Sequence, residues 1–287
     1  MTLYGDAKVG KSYAAIQLAC ALSQGGDWLG FPIRQTGPVV YIQLDTPRSL
    51  WASRLDALAE AGLPVHSLSF ADRETLDLYP FDILKTEPVV HRDVLREAIL
   101  SLPKPPSVVI IDTLREVHGG DENDSTAMQA VLANLVVATQ PAALILISHS
   151  RKPNADMGPS TINDLRGSNY VVGRMDAICQ FQKRSIAFTG RAIEHGVIKT
   201  ERTEAGTWEL AETEEQRIAA IIVEDPAYPS LRAKSKALAA RIDKSEEACR
   251  SLLRRLTAMG RLTLGHEIDP PLSFELKPLQ TKELGEG

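Results

Sequence analysis

Gly5, Gly10, Lys11 and Ser12 fill the four fixed places of the pattern G-x-x-x-x-G-K-[ST] in the stretch GDAKVGKS, residues 5–12. Each fixed place has a chemical task. The glycines let the backbone curl so that its N–H groups face a phosphate chain, Lys11 sets a cation between β- and γ-phosphates, and the Ser12 hydroxyl can ligate Mg²⁺. Gly5, Asp6, Ala7, Lys8, Val9, Gly10, Lys11, Ser12 and Tyr13 together form the candidate nucleotide-binding set. Within it the Lys8 side chain is expected to be solvated. The flanking chain supplies the required order: Thr2-Leu3-Tyr4 is a stub of strand, and Tyr13 to Ser23 is Ala- and Leu-rich and reads as a helix.

A second chemical signature closes the run PKPPSVVIID, residues 103–112. Four consecutive apolar residues lead to Asp112. A carboxylate at the carboxyl edge of a buried strand sits beside the phosphate loop in an α/β sheet, where it holds Mg²⁺ through water, so Asp112 is the candidate metal residue together with Ser12.

The elements that must position these groups follow from the apolar pattern. Gly37 to Asp45 (GPVVYIQLD) reads as a buried strand ending in a carboxylate, and Ser49 to Ala61 returns to helical spacing. Leu63 to Pro88 is irregular, with several prolines. His91 to Leu102 is again helical, and Ala142 to His149 (AALILISH) is a further buried strand with polar residues at its end. Strands alternating with helices argue for an α/β fold with a mostly parallel sheet flanked by helices and a ligand at the carboxyl ends of the strands.

Composition narrows the class. The chain has 287 residues, 44% of them hydrophobic, enough for one substantial core plus a small second domain. A net charge of −5 gives no overall basic field for nucleic acid, so any such contact must come from local patches. Cys20, Cys179 and Cys249 are far apart and follow no C-x-x-C spacing, which indicates neither a zinc site nor a disulfide framework and fits a reducing cytosol. No signal peptide is read at the N-terminus, and the longest apolar run, Ala142 to Ile147, is far too short to span a bilayer; the expectation is a soluble, cytoplasmic protein without membrane contact.

The ordered set GDAKVGKS, VVYIQLDTP, VVIIDTLREVHGGDENDS, LILISHSRKP and DLRGSNYVVGRMDAI resembles the RecA/DnaB-like ATPases, most of all their RepA-type branch of plasmid and phage helicases. The resemblance covers about residues 1–210. It implies a RecA-like ATPase core, ATP and Mg²⁺ as ligands, and a homo-oligomeric ring or filament, with a hexamer as the expected form. The acidic residue closing the second strand of that family polarises the attacking water, and the matching position is Asp45. Glu is usual there, so the carboxylate here is one methylene shorter, which bears on water geometry. On the residues alone, Asp45 also reads as a turn or N-cap residue before Thr46-Pro47. His149 matches the polar sensor at the end of the strand next to the phosphate-loop strand, and Arg166 in LRGS matches the arginine that reaches a neighbouring subunit's ATP. An internal ion pair of Arg166 with Asp164 or Asp176 is the plain alternative; Arg191 is a second candidate for the trans role.

The same resemblance makes Ser150 to Leu165 a nucleic-acid-binding loop, with Arg151 and Lys152 available for phosphates of single-stranded DNA. A plain flexible connection has the same Gly, Pro, Asn and Ser content. Glu116 to Ser125 corresponds to the first central loop of the family and is acidic, which argues against a strong backbone grip there. RecA-like domains carry more chain before the phosphate loop, so Met1 as an internal start or a trimmed version both stand open.

Ser185 to Leu210 alternates as antiparallel strands with a turn at Glu-Ala-Gly-Thr. Beyond it the character changes, and residues 211–287 read as a second domain with a tail. Glu214 to Val223 reads as a helix, Ala233 to Ile242 as another, and Glu246 to Met259 as an amphipathic helix opened by a Ser245 cap and stopped by Gly260, with a small wing starting at Gly260. This resembles a winged helix-turn-helix. From Glu214 through Arg261 there are ten Lys and Arg against seven Asp and Glu, a local net of +3, with Arg250, Arg254 and Arg255 clustered. A three-helix module for a protein partner is the alternative.

Two function classes follow. One is a motor, a ring-forming ATPase that translocates on single-stranded DNA in plasmid or phage replication. The other is a nucleotide-switched loader or regulator in recombination, transposition or defence, with little unwinding. A small-molecule kinase is a distant third, since the sensor and LRGS segments have no use there.

Overall fold

The structure, a computed structural model, describes residues 1–71, 88–118, 124–150, 173–191, 193–211, 231–242 and 245–258. The chain divides into two compact units, Met1–Ala211 and Glu212–Gly287.

The first unit is built on a nine-stranded sheet. Its strands are β1 (Thr2–Gly5), β4 (Val39–Gln43), β5 (Ser69–Ala71), β6 (Val108–Asp112), β7 (Ala143–His149), β8 (Ala177–Gln182), β9 (Ser185–Gly190), β10 (Gly196–Arg202) and β11 (Trp208–Leu210); β2 (Asp27–Trp28) and β3 (Phe31–Pro32) form a separate two-residue ribbon. The order across the sheet is β11-β10-β9-β8-β1-β7-β6-β4-β5. Every neighbour from β5 to β8 is parallel, and β9, β10 and β11 extend the sheet antiparallel. Among the described residues four helices cover it: α1 (Lys11–Gln24), α2 (Arg48–Glu60), α3 (Pro88–Leu100) and α4 (Ser125–Thr139).

Parity along the strands explains both the core and the placement of the polar residues. Successive side chains point to opposite faces. Leu3, Tyr41, Ile110, Ile145 and Ile147 pack with Ala15, Ile16 and Ala19 of α1 and with Trp51 and Leu58 of α2. Tyr4, Ile42, Ile111 and Leu146 pack instead with Leu95 and Ile99 of α3 and with Met128, Leu132 and Leu135 of α4. Asp112 lies two residues beyond Ile110 and His149 two beyond Ile147, so both project to the α1 side. Both sheet faces are covered, as the near-continuous apolar runs of the parallel strands require. This is a RecA-like α/β core.

Several elements depart from the sequence reading. The second strand stops at Gln43, two residues short of Asp45, because Leu44 N–H leaves the ladder to bond the Asp112 carbonyl at 2.7 Å. The irregular stretch after Leu63 contains a 3₁₀ turn, Val65–Ser67, and the edge strand β5. The ribbon of β2 and β3, and β8, carry no strand expectation from the sequence; β8 pairs parallel with β1 and supplies the neighbour on the far side of the phosphate-loop strand.

In the second unit the described residues form α5 (Leu231–Ile242) and α6 (Glu246–Ala258). Ser245 Oγ accepts from Ala248 N–H at 3.2 Å, an N-cap at the expected place. Cys249, Leu252 and Leu253 are buried, while Arg254 and Arg255 are exposed and Arg250 pairs with Glu246 at 2.8 Å. The helix expected at Glu214 to Val223, the turn before Leu231 and the wing after Gly260 lie outside the described residues.

Candidate active site

The loop between β1 and α1 is shaped by two of its glycines. At Gly5 a Cβ would stand 2.4 Å from the Phe181 carbonyl of β8, so only glycine allows the two strands to pair there. Gly10 has φ of 107°, in the left-handed region, and a Cβ would meet the Trp208 indole nitrogen at 3.1 Å. Lys8 also has positive φ, 64°. The alternation curls the loop, and α1 starts at Lys11 with no side-chain cap, which leaves its first N–H groups directed at the loop.

Lys11 is buried, with its ammonium donating to the carbonyls of Gly5 and Asp6, both at 2.9 Å, and 3.3 Å from His149 Nδ1. An ammonium has only donors, so this contact puts the lone pair on Nδ1 and the imidazole proton on Nε2. Burial pulls the Lys11 pKa down to about 8, with Asp112, Asp6 and Asp45 opposing. His149 stands level with Gly5 in the β1–β7 register. Ser150, the next residue, fastens strand end to loop: its N–H donates to the Gly5 carbonyl at 3.0 Å and its hydroxyl donates to Asp6.

Asp112 is 1% exposed. Tyr41 OH donates to its Oδ2 at 2.8 Å; Oδ1 is buried without a partner at hydrogen-bonding geometry, although the Ser12 hydroxyl is close enough to favour the ionised carboxylate. Burial, then the charge of Asp45, push its pKa up to about 6, against the pull of Ser12, Tyr41 and Arg54. A buried carboxylate oxygen with no protein donor, beside a serine hydroxyl, is a hard all-oxygen set that suits Mg²⁺, an ion that takes one or two carboxylates, waters and substrate phosphates. Ser12 and Asp112 would hold it. When bound, the ion would bridge phosphate oxygens and neutralise developing charge.

Asp45 is exposed in the loop after β4, accepting from Thr46 Oγ at 2.9 Å. It does not cap α2, whose N-cap is Pro47. Gln43 is buried and closes the turn, accepting from Thr46 N–H at 2.9 Å and donating to the Thr46 carbonyl. Ala7, Lys11, Ser12, Asp45, Asp112 and His149 all line one cleft of about 370 Å³, so five of the six chemistry-bearing residues read from the sequence converge there. The sixth, Arg166, lies outside the described residues, as does most of the segment from Arg151 to Leu165. Arg191 is away from this cleft; it pairs with Asp176 at 3.4 Å and donates to the Gly173 carbonyl at 2.8 Å.

Three contributors have no counterpart in the sequence reading. Trp208 of β11 is fully buried and donates through its indole N–H to the Gly10 carbonyl at 3.0 Å, while Gln17 of α1 exchanges two hydrogen bonds with the Trp208 backbone, at 2.8 and 3.0 Å. The link spans 191 positions, and nothing local announces it. Tyr41 is legible only once the register is known, being two residues before Gln43, which pairs with Asp112. Arg54 follows Trp51 by one helical turn and faces the cleft.

The family described as "AAA domain" matches residues 1–155, from β1 through the strand end carrying His149. Among solved structures, one titled as a helicase-type "ATPase Domain" is 14% identical, covers 74% of this chain and 84% of that chain, and has a TM-score of 0.49, a likeness too slight to add to what the strand order already shows. With more than half of its length matched and the phosphate loop, Asp112 and His149 gathered on one sheet face, the chain belongs to the AAA domain family and is a RecA-like P-loop ATPase.

Proposed function

We propose that the protein is a Mg²⁺-dependent ATPase that works as a homo-oligomer, with a hexameric ring as the expected form, on single-stranded DNA, as a RepA-type helicase or translocase of plasmid or phage replication. One observation carries the catalytic part. Lys11, Ser12, Asp112 and His149 meet in a single cleft at the carboxyl ends of parallel strands, with Asp45 at its rim. Lys11 and the loop N–H groups would take the phosphates, and Ser12 with Asp112 would hold the ion. Asp45 would orient the water, and His149, already against Lys11, would register the γ-phosphate. Arg166 supports the oligomer through its place in LRGS, since a trans arginine acts only from a neighbour. The domain reading, an ATPase unit over 1–210 and a winged-helix-like unit over 211–287, gives a place for DNA or a protein partner at Arg250, Arg254 and Arg255, of which the last two are exposed.

A second reading, a nucleotide-switched loader or regulator, is favoured by Asp45 itself. Its carboxylate is short and exposed, and among the described residues Thr46 alone holds it by a hydrogen bond. The two readings separate in one assay. ATP hydrolysis is measured with and without single-stranded DNA, with mass followed by light scattering in the same buffers, for wild type and Arg166→Ala. DNA-stimulated hydrolysis by an oligomer, lost in Arg166→Ala without loss of assembly, supports the motor. A monomer that ignores DNA and tolerates the substitution overturns it and turns attention to a protein partner.

A further inference from the structure

Arg54 is the cation in the cleft whose charge is left unmatched. It lies on α2 one turn after Trp51, and its guanidinium carbon sits 4.9 Å from the Tyr13 ring centre and 5.4 Å from that of Trp51. Trp51 is itself fixed, packing on Tyr41 at 5.1 Å and edge-on to Phe70 at 5.9 Å. Tyr41 in turn bonds Asp112. The guanidinium is thereby prepositioned by the same aromatic group that orients the metal-side carboxylate.

Its hydrogen bonds are missing. Nε and Nη1 are buried with no partner, and no ion pair engages the residue among the described residues. Aromatic faces attract a guanidinium but cannot replace hydrogen-bond acceptors, and this group cannot shed its proton. Arg202 stacks on the same Tyr13 ring at 5.1 Å, yet it is exposed, so water already hydrates its charge. Arg54 is half-buried and lines the cleft with Ser12 and Asp112, the residues suited to the ion that bridges β- and γ-phosphates. An anion arriving at that end would meet a rigid, pre-desolvated fork of donors, for which phosphate is the natural complement.

We infer that Arg54 is a phosphate-binding residue supplied in cis, contacting the β,γ end of bound ATP and separating ATP from ADP. The inference rests on the reading of the cleft as an ATP site. Its consequence is a division of labour in which one arginine of the same subunit grips the ground state, leaving the trans arginine for the transition state.

The test is binding of Mg·ATPγS and Mg·ADP to the full chain, by competition with a fluorescent nucleotide, for wild type, Arg54→Met and Arg54→Lys. Arg54→Met keeps a stem to pack between the rings and should weaken ATPγS by about tenfold or more, the worth of one charge-assisted hydrogen bond, with ADP changed by less than about threefold. Arg54→Lys should recover only part, because an ammonium cannot present the fork; it carries the test by itself if the methionine variant does not fold. The nucleotide-free thermal midpoint should not fall in either. Equal losses for the two nucleotides, no loss, or full recovery by lysine would overturn the inference and leave Arg54 as packing between two rings. If wild type binds neither nucleotide, the ATP-site reading fails with it; if wild type binds both and Arg54→Met is unchanged, only the present inference fails.

Discussion

The parallel and antiparallel parts of the sheet contribute to one cleft in different ways. In the parallel part, β4, β6 and β7 are apolar along most of their length and carry Gln43, Asp112 and His149 at or near their carboxyl ends. Depth and parity position these groups, and burial tunes them. In the antiparallel part, β10 alternates between exposed and covered residues, and its end and β11 send Arg202 and Trp208 back over the phosphate loop. Here position comes from long-range hydrogen bonds. The difference teaches that the reactive groups depend on the sheet for their electrostatics, whereas the loop that holds the phosphates depends on a distant strand for its shape.

The sharpest way to break this comparison is to remove the central cation. Lys11→Ala should lower ATP hydrolysis by on the order of a thousandfold, as expected when a group aimed at the transferring phosphoryl is lost, read as initial rates at saturating Mg·ATP. Next in size is the brace. Trp208→Ala should destabilise the first unit by about 3–5 kcal/mol through the cavity and the lost indole bond, measured by denaturant unfolding, and Gln17→Ala by about 1 kcal/mol. If Trp208→Ala left stability and nucleotide affinity unchanged, the antiparallel part would be a mere appendage.

Asp112 tests the parallel part through pH. Its pKa is raised from the ordinary carboxylate value of 3.8 to about 6 in the folded chain, so between those values the unfolded chain binds fewer protons than the native one. Stability of the nucleotide-free protein from this group therefore falls as pH rises from about 4 to 6, and Asp112→Asn should flatten that slope while abolishing the Mg²⁺ dependence of ATP binding. Urea midpoints across that window, with titration calorimetry at pH 7, check both. Lys11 has the opposite sign: with its pKa lowered to about 8, stability rises with pH from about 8 to 10.5. At the small end, the exposed pair of Arg191 with Asp176 should be worth less than about 1 kcal/mol, so Arg191→Ala should leave the unfolding midpoint nearly unchanged.

What the sequence disclosed follows the same division. The phosphate loop, Asp112 and His149 are legible because a glycine pattern and apolar runs ending in a polar residue are local signals. The apolar run puts Asp45 at a strand end, whereas the strand closes at Gln43, because Leu44 turns its N–H to the neighbouring strand's carbonyl, a choice no periodicity encodes. Trp208, Tyr41 and Arg54 act through register and ring packing, which exist only after folding. The weakly patterned β8 gives no local signal although it pairs with the phosphate-loop strand itself.

The central claim is that this cleft binds and hydrolyses ATP with Mg²⁺ held by Ser12 and Asp112. The most direct measurement is phosphate release from ATP by the wild-type chain, by Lys11→Ala and by Asp112→Asn, with Mg²⁺ and with EDTA. The account predicts hydrolysis by wild type that EDTA stops and that both substitutions reduce to background. Hydrolysis that survives EDTA, or that Lys11→Ala and Asp112→Asn leave intact, would contradict it.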